Sequence, residues 1–172
     1  MSFELDYSVH EYADKIRKTI QDYYKHFINA WNVGTHLKVR SLGNNFVSVK
    51  LDTHQILKAG DKIVPSEHAL VFKDGSILSI AQMIEVISSK KCRIHTSVIT
   101  FVKTKTNHTG DSIVEYAFHY DKVNNVPNHP DFHLQFDYNQ KINTPRFEIH
   151  KYVDLEEILK MIVRDQLLIN ID

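Results

Sequence analysis

Histidine and aspartate recur in two stretches of alternating polar and apolar residues in the second half of the chain. The first stretch, SIVEYAFHYD, contains His119, and the second, FHLQFDYN, contains His133 and Asp137. Histidine exchanges protons near neutral pH, and a neighbouring carboxylate orients the imidazole ring and stabilises its charged form. These residue types predict general acid–base chemistry in this region.

Each candidate residue has an expected role in phosphoryl transfer from a ribose 2′-hydroxyl. His119 and His133 serve as general base and acid, Asp137 orients an imidazole, and His150 is a further proton-transfer candidate. Cationic groups downstream would stabilise a phosphorane-like transition state, and an aromatic ring would stack on the substrate. The predicted substrate-binding residues are Arg146, Lys151 and Tyr120. This mechanism needs no metal and no cofactor.

Two other interpretations use the same residues. A metal-dependent hydrolase would bind its ion through His119, His133 and Asp137, although their spacing matches no compact ligand motif. His129 lies four residues before His133, but Pro130 and the strand pattern argue against two ligands on one helical turn. Alternatively, an antiparallel sheet with one solvated face shows this alternation without any catalytic function.

Strand alternation assigns these residues to faces of a sheet, because successive side chains point to opposite sides. Two antiparallel strands that turn their apolar residues toward one core would place the polar residues on one common surface. That predicted surface carries Glu115, His119, Asp121, His133, Gln135 and Asp137. The apolar face of the first strand is predicted to carry Val114, Tyr116, Phe118 and Tyr120. His129 is expected in the turn between the strands.

An amphipathic helix is predicted over residues 1–35. Ser8 and Glu11 fit a capping box at its start, and Gly34 is a plausible stop. Its apolar residues recur at helical spacing, namely Ile16, Ile20, Tyr23, Phe27 and Trp31. This stripe supports an alternative function as a non-enzymatic binding protein that forms a homodimer or docks a partner through the helix.

Residues 46–140 are predicted to form a mostly antiparallel sheet of five to six strands. Asp74-Gly75 between two apolar runs indicates a two-residue hairpin, and the spacing of isoleucines over 80–87 favours a short helix. A C-terminal helix over 153–168 is capped by Asp154 and Glu157. The expected fold is one α+β domain, 1–172, whose sheet is flanked by the two terminal helices.

Composition and missing motifs restrict the class of protein. The 172 residues carry no formal net charge, so overall electrostatics does not favour nucleic acid. The expected location is cytoplasmic, with no membrane partner, because neither a secretory signal nor a long apolar run is visible. Cys92, the only cysteine, is expected in the core. Phosphate-binding glycine loops, serine-hydrolase elbows and paired cysteine motifs are missing.

Four short stretches carry a resemblance to a known family. LVFKDGSILSI, YAFHYD, HPDFHLQFDYN and RFEIHKY resemble segments of the TumE-type toxins of prokaryotic toxin–antitoxin modules, over residues 69–162. The chain departs from the family pattern at residues 135–137, where an arginine-containing run is replaced by Gln-Phe-Asp. The resemblance implies a small cytoplasmic toxin, neutralised by a helix-turn-helix antitoxin. Many toxins of this size cut RNA, which makes RNA a candidate partner, but the motifs of the resemblance do not assign that activity to the family.

Overall fold

Within the part of the chain that the structure describes, nine strands form one sheet, in which every paired neighbour is antiparallel. A computed structural model of the chain describes residues 3–30, 36–52, 58–124, 126, 127, 130–137, 146–165 and 167, with only the backbone at Asp137. The strands are β1 (Phe3–Leu5), β2 (Leu37–Gly43), β3 (Phe46–Leu51), β4 (Leu70–Val71), β5 (Ile77–Ser88), β6 (Lys91–Thr106), β7 (Ser112–Lys122), β8 (Phe132–Asp137) and β9 (Arg146–Glu148). The helices are α1 (Val9–Asp22) and α2 (Leu155–Arg164), and a short 3₁₀ turn spans Tyr24–His26.

The sheet is a meander built around three long strands. Its order is β2-β3-β5-β6-β7-β8-β9, with β1 added beside β6 and β4 added beside β5. The α+β class is confirmed, but the sheet has more strands than predicted. Strands β1, β2 and β9 lie outside the predicted sheet region, 46–140, and β2 and β9 are mostly exposed edge strands.

The short helix predicted over residues 80–87 is wrong, because this segment belongs to the central strand β5. Every second residue from Leu78 to Ile84 is buried, including Ile80 and Gln82, which is the period of a strand with one face in the core. The sequence misled because the buried residue at position 82 is polar, whereas Met83 and the exposed Ile87 are apolar and complete a helical spacing. Residue 95 forms a bulge opposite β5, which also shifts the alternation in this region.

The hairpin predicted at Asp74-Gly75 is present, but its turn is not a two-residue loop. Residues 72–76 connect β4 to β5, and the Gly75 amide donates to the Phe72 carbonyl at 2.9 Å. The Phe72 amide donates in turn to the Ser76 carbonyl at 2.8 Å. Only Gly75 of this turn has a positive φ, +85°, as in a type I turn closed by a glycine bulge.

Helix α1 begins as predicted and ends earlier. Ser8 and Glu11 form the reciprocal capping box, but the helix stops at Asp22. Residues 31–35, which contain Trp31 and Gly34, lie outside the described part of the chain. Ile16 and Ile20 are buried in the core that α1 shares with the sheet, so this part of the stripe is covered by the chain's own strands.

Helix α2 covers the same face of the sheet as α1. Asp154 and Glu157 form the predicted capping box, and Ile158, Leu159 and Ile162 are buried in the same core. The hydroxyl groups of Tyr12, in α1, and Tyr152, before α2, lie 3.2 Å apart. Neither of the two described helices is long and apolar enough to span a membrane.

A smaller core lies on the opposite face of the sheet. It contains seven buried residues, namely Ile63, Ala69, Val71, Ile77, Val102, Val114 and Ala117. The prediction that Val114 shares a face with Tyr116 and Phe118 is therefore wrong. Glu115 is an extra residue in β7, since Lys103 pairs with Tyr116 and Thr104 with Val114. Such a bulge reverses the facing of the residues that precede it.

Strand β1 is attached to β6 by an ion cluster whose effect depends on pH. Hydrogen bonds from Arg93 and then Lys91 hold the pKa of the Glu4 carboxyl at about 2, below its ordinary 4.5. Because the folded pKa is lowered, this attachment stabilises the fold above pH 4.5 and is lost as pH falls toward 2. An NMR titration should place the Glu4 midpoint near pH 2. Glu4→Gln should remove the loss of stability that this cluster causes between pH 4.5 and 2. A Glu4 midpoint near pH 4.5 would contradict the ion cluster.

Candidate functional site

The pairing of β7 with β8 brings two histidines and one aspartate together. Asp121 pairs directly with His133, and His119 pairs with Gln135 two residues further along β8. Side chains two residues apart in a strand share a face, and directly paired side chains are neighbours across the strands. His119, Asp121 and His133 therefore form a triangle, which we call the His–Asp–His cluster.

Both imidazoles approach the same carboxylate oxygen. His119 Nε2 and His133 Nε2 each lie 3.3 Å from Asp121 Oδ2. The two imidazole rings are 6.3 Å apart between centroids and nearly perpendicular. One potential ligand atom from each residue lies within 4.8 Å of the other two. The two histidines and the carboxylate are therefore close enough to share a proton or to bind one ion.

The cluster is enclosed, with access at one edge. The His133 side chain is fully buried, whereas 11% of the His119 side-chain surface and 14% of the Asp121 side-chain surface are exposed. A buried carboxylate must be compensated by charge or hydrogen bonds. Asp121 Oδ1 is buried without a hydrogen-bond partner among the described residues. The two imidazoles beside Oδ2 are therefore the groups that can compensate the burial of this carboxylate.

A buried lysine holds the end of β7 next to the cluster. Lys122 follows Asp121 and points to the opposite face, where it is 2% exposed. Its Nζ donates to the His95 carbonyl at 2.9 Å and to Asn124 Oδ1 at 2.8 Å. Burial lowers the pKa of Lys122. These bonds attach the last residues of β7 to the bulge in β6 and so restrain the backbone at Asp121.

Three predicted residues are not placed in the cluster. Asp137 ends β8 opposite Ala117, and its side chain lies outside the described part of the structure. His150 is exposed beyond β9, and His129, expected in the turn, lies outside the described residues. The carboxylate that contacts both imidazoles is Asp121, which the sequence placed on the polar surface without assigning it the orienting role.

The two predicted phosphate-binding cations differ in position. Arg146 in β9 is exposed and pairs with Gln135, which pairs with His119. Strand β8 lies between the strands of Arg146 and His119, so the backbones at these two residues are about 10 Å apart. Lys151 is exposed and bonded to Glu157, and this hydrogen bond raises the pKa of Lys151. Arg146 is therefore the cation whose strand position is aligned with the cluster.

Tyr120 lies on the face of β7 opposite the cluster. Its ring packs against the main core, and its hydroxyl donates to Met161 Sδ at 3.5 Å. Burial, with the charges of Asp165 and Glu157, raises the pKa of Tyr120. It lines a groove of about 290 Å³ that also contacts Phe118. A substrate at the His–Asp–His cluster cannot stack on this ring, because the sheet separates them.

Comparisons of the chain with protein-family models, with curated proteins and with solved structures found no match.

Proposed function

We propose that this protein is an enzyme that cleaves RNA by acid–base chemistry at the His–Asp–His cluster. The observation that carries the proposal is the approach of two imidazoles to one carboxylate oxygen, 3.3 Å from each Nε2. A carboxylate beside an imidazole increases its tendency to accept a proton and holds its orientation. RNA is proposed as the substrate because its ribose 2′-hydroxyl is a proton donor that this chemistry can use, and because many toxins of this size cut RNA.

The burial of the cluster supports different roles for its two histidines. His119 is at the accessible edge and accepts the proton of the ribose 2′-hydroxyl. His133 has no exposed surface, so it acts as a positioning residue that holds Asp121. This assignment replaces the expected base-and-acid pair with one proton-transfer histidine and one supporting histidine.

The proposed reaction is an internal transesterification. As His119 takes the proton, a bond forms between the 2′-oxygen and phosphorus, and the bond from phosphorus to the 5′-oxygen breaks. The leaving 5′-oxygen takes a proton from water, and the upstream fragment ends in a 2′,3′-cyclic phosphate. Arg146, exposed on β9 and in register with Gln135, is the candidate for stabilising the charge on the phosphate.

Cleavage of a mixed RNA pool by the purified protein tests the proposal. We expect fragments with cyclic phosphate ends, and Asp121→Asn should lower the rate by about 10²-fold or more because the carboxylate no longer carries charge. Glu115→Gln is the matched control, since Glu115 is an exposed carboxylate of the same strand. Equal rates for the wild type and Asp121→Asn would refute the role of the cluster.

A toxin role with an antitoxin partner is a separate part of the proposal, supported by the sequence resemblance. Expression of the wild type should arrest bacterial growth, and co-expression of a neighbouring helix-turn-helix protein should relieve the arrest. The alternative of docking through the N-terminal helix has weaker support, because Ile16 and Ile20 of α1 are buried against the chain's own sheet.

A further inference from the structure

We infer that His119, Asp121 and His133 form a binding site for one divalent transition-metal ion of the zinc class, and that a bound ion excludes proton transfer by His119. The first half concerns the cluster alone. The second half rests on the proposed function, because a neutral imidazole has one unprotonated nitrogen, and an ion bound there leaves none to accept a proton. The ion would therefore act as an inhibitor of RNA cleavage and not as its cofactor.

Two of the three distances between ligand atoms fit the first coordination shell of such an ion, and all three are within 4.8 Å. In a tetrahedral site with bonds of about 2.0–2.1 Å, neighbouring ligand atoms lie about 3.3–3.4 Å apart. Asp121 Oδ2 lies 3.3 Å from each Nε2.

The ligand types and their burial favour zinc over the hard cations. Two imidazoles and one carboxylate suit zinc and other first-row transition ions, whereas magnesium and calcium prefer oxygen ligands throughout. A divalent ion would compensate the buried charge of Asp121. Three protein ligands leave a fourth position for water, and the partial exposure of His119 and Asp121 provides a path for entry.

Titration of the chelator-treated full-length protein with zinc chloride, followed by calorimetry, tests the binding site. We expect one ion per chain, and a loss of affinity of about 100-fold or more in Asp121→Asn and in His119→Gln. Glu115→Gln and His10→Gln are the controls, since both residues are exposed and outside the cluster. Equal affinity in the wild type and Asp121→Asn would overturn the site.

Thermal unfolding compares each protein with itself, with and without zinc, so a folding defect in a variant does not affect the test. Zinc at about 100 times its dissociation constant should raise the melting temperature of the wild type by about 5–10 °C. The same addition should leave Asp121→Asn unchanged if the cluster is the site. A similar zinc-induced rise in Asp121→Asn would place the ion elsewhere and overturn the inference.

RNA cleavage measured with zinc and with chelator separates the two proposals. Inhibition by zinc, reversed by chelator, supports mutually exclusive use of His119. Activation of RNA cleavage by zinc would overturn the inference that a bound ion prevents proton transfer by His119.

Two other outcomes distinguish the metal site from the proposed function. Zinc binding at the cluster without RNA cleavage under either condition would refute the proposed function and the inhibition but leave the metal site standing. Cleavage without zinc binding would refute the metal site and leave the proposed function standing.

Discussion

His119→Gln is expected to lower the rate of RNA cleavage by about 10²–10⁴-fold, the usual contribution of a general acid–base residue. Glutamine retains a polar group of similar length but cannot accept the proton of the ribose 2′-hydroxyl. Because only 11% of the His119 side chain is exposed, the thermal unfolding of the variant is measured beside its cleavage rate. Single-turnover cleavage of a defined RNA measures the effect.

The pH dependence of cleavage distinguishes His119 from His133. A histidine base produces a limb in the pH–rate profile, because only the neutral imidazole accepts the proton. That limb should disappear in His119→Gln. It should persist in His133→Gln, where the base is intact and only its support is changed.

A surface histidine provides the control for this series. His10→Gln changes an exposed imidazole on α1 and should cleave RNA at the wild-type rate. Retention of both the rate and the limb in His119→Gln would contradict the assignment of the proton-transfer residue. A loss of the limb only in His133→Gln would exchange the two roles.

Asp74→Asn is expected to lower the free energy of unfolding by about 3–5 kcal/mol, the usual cost of leaving a buried charge without its partner. Asp74 Oδ2 lies 2.6 Å from Lys103 Nζ, and the two side chains are only 2% and 7% exposed. Lys103 Nζ also donates to the Leu167 carbonyl at 2.7 Å. This pair therefore links the turn between β4 and β5 to the segment after α2.

Urea denaturation of three proteins measures this effect. Asp14→Asn is the control, because Asp14 forms an ion pair with Arg17 at 2.6 Å while its side chain is 72% exposed. An exposed pair contributes less than about 1 kcal/mol. The double variant Asp74→Leu with Lys103→Met should be more stable than Asp74→Asn, since it leaves no buried charge. A cost below about 1 kcal/mol for Asp74→Asn would show that Lys103 finds another partner.

Local patterns predicted the elements whose signals lie within a few residues. Both capping boxes occur as expected, at Ser8 with Glu11 and at Asp154 with Glu157. A cap depends on one side chain and the backbone of the next turn, so neighbouring residues are enough to identify it. The strands that carry His119 and His133 were predicted for the same reason, because alternation is a local property of the backbone.

Local patterns failed where the order of polar and apolar residues does not follow the burial of the strand. Residues 80–87 have helical spacing in the sequence but lie in β5 between β3 and β6. The bulge at Glu115 is equally hidden, since it is defined by the pairing of Lys103 with Tyr116 and of Thr104 with Val114. Both features depend on residues of other strands, which a window along one segment does not include.

The sequence by itself determined that His119 and Asp121 share a face and that Tyr120 lies on the other, because alternation follows from the backbone of one strand. Only the tertiary structure decided that Asp121 meets His133. This contact requires the register of β7 against β8, which depends on both strands and not on either one alone. The full burial of His133 was decided at the same level, because burial depends on every element that packs around a residue and not on its own segment.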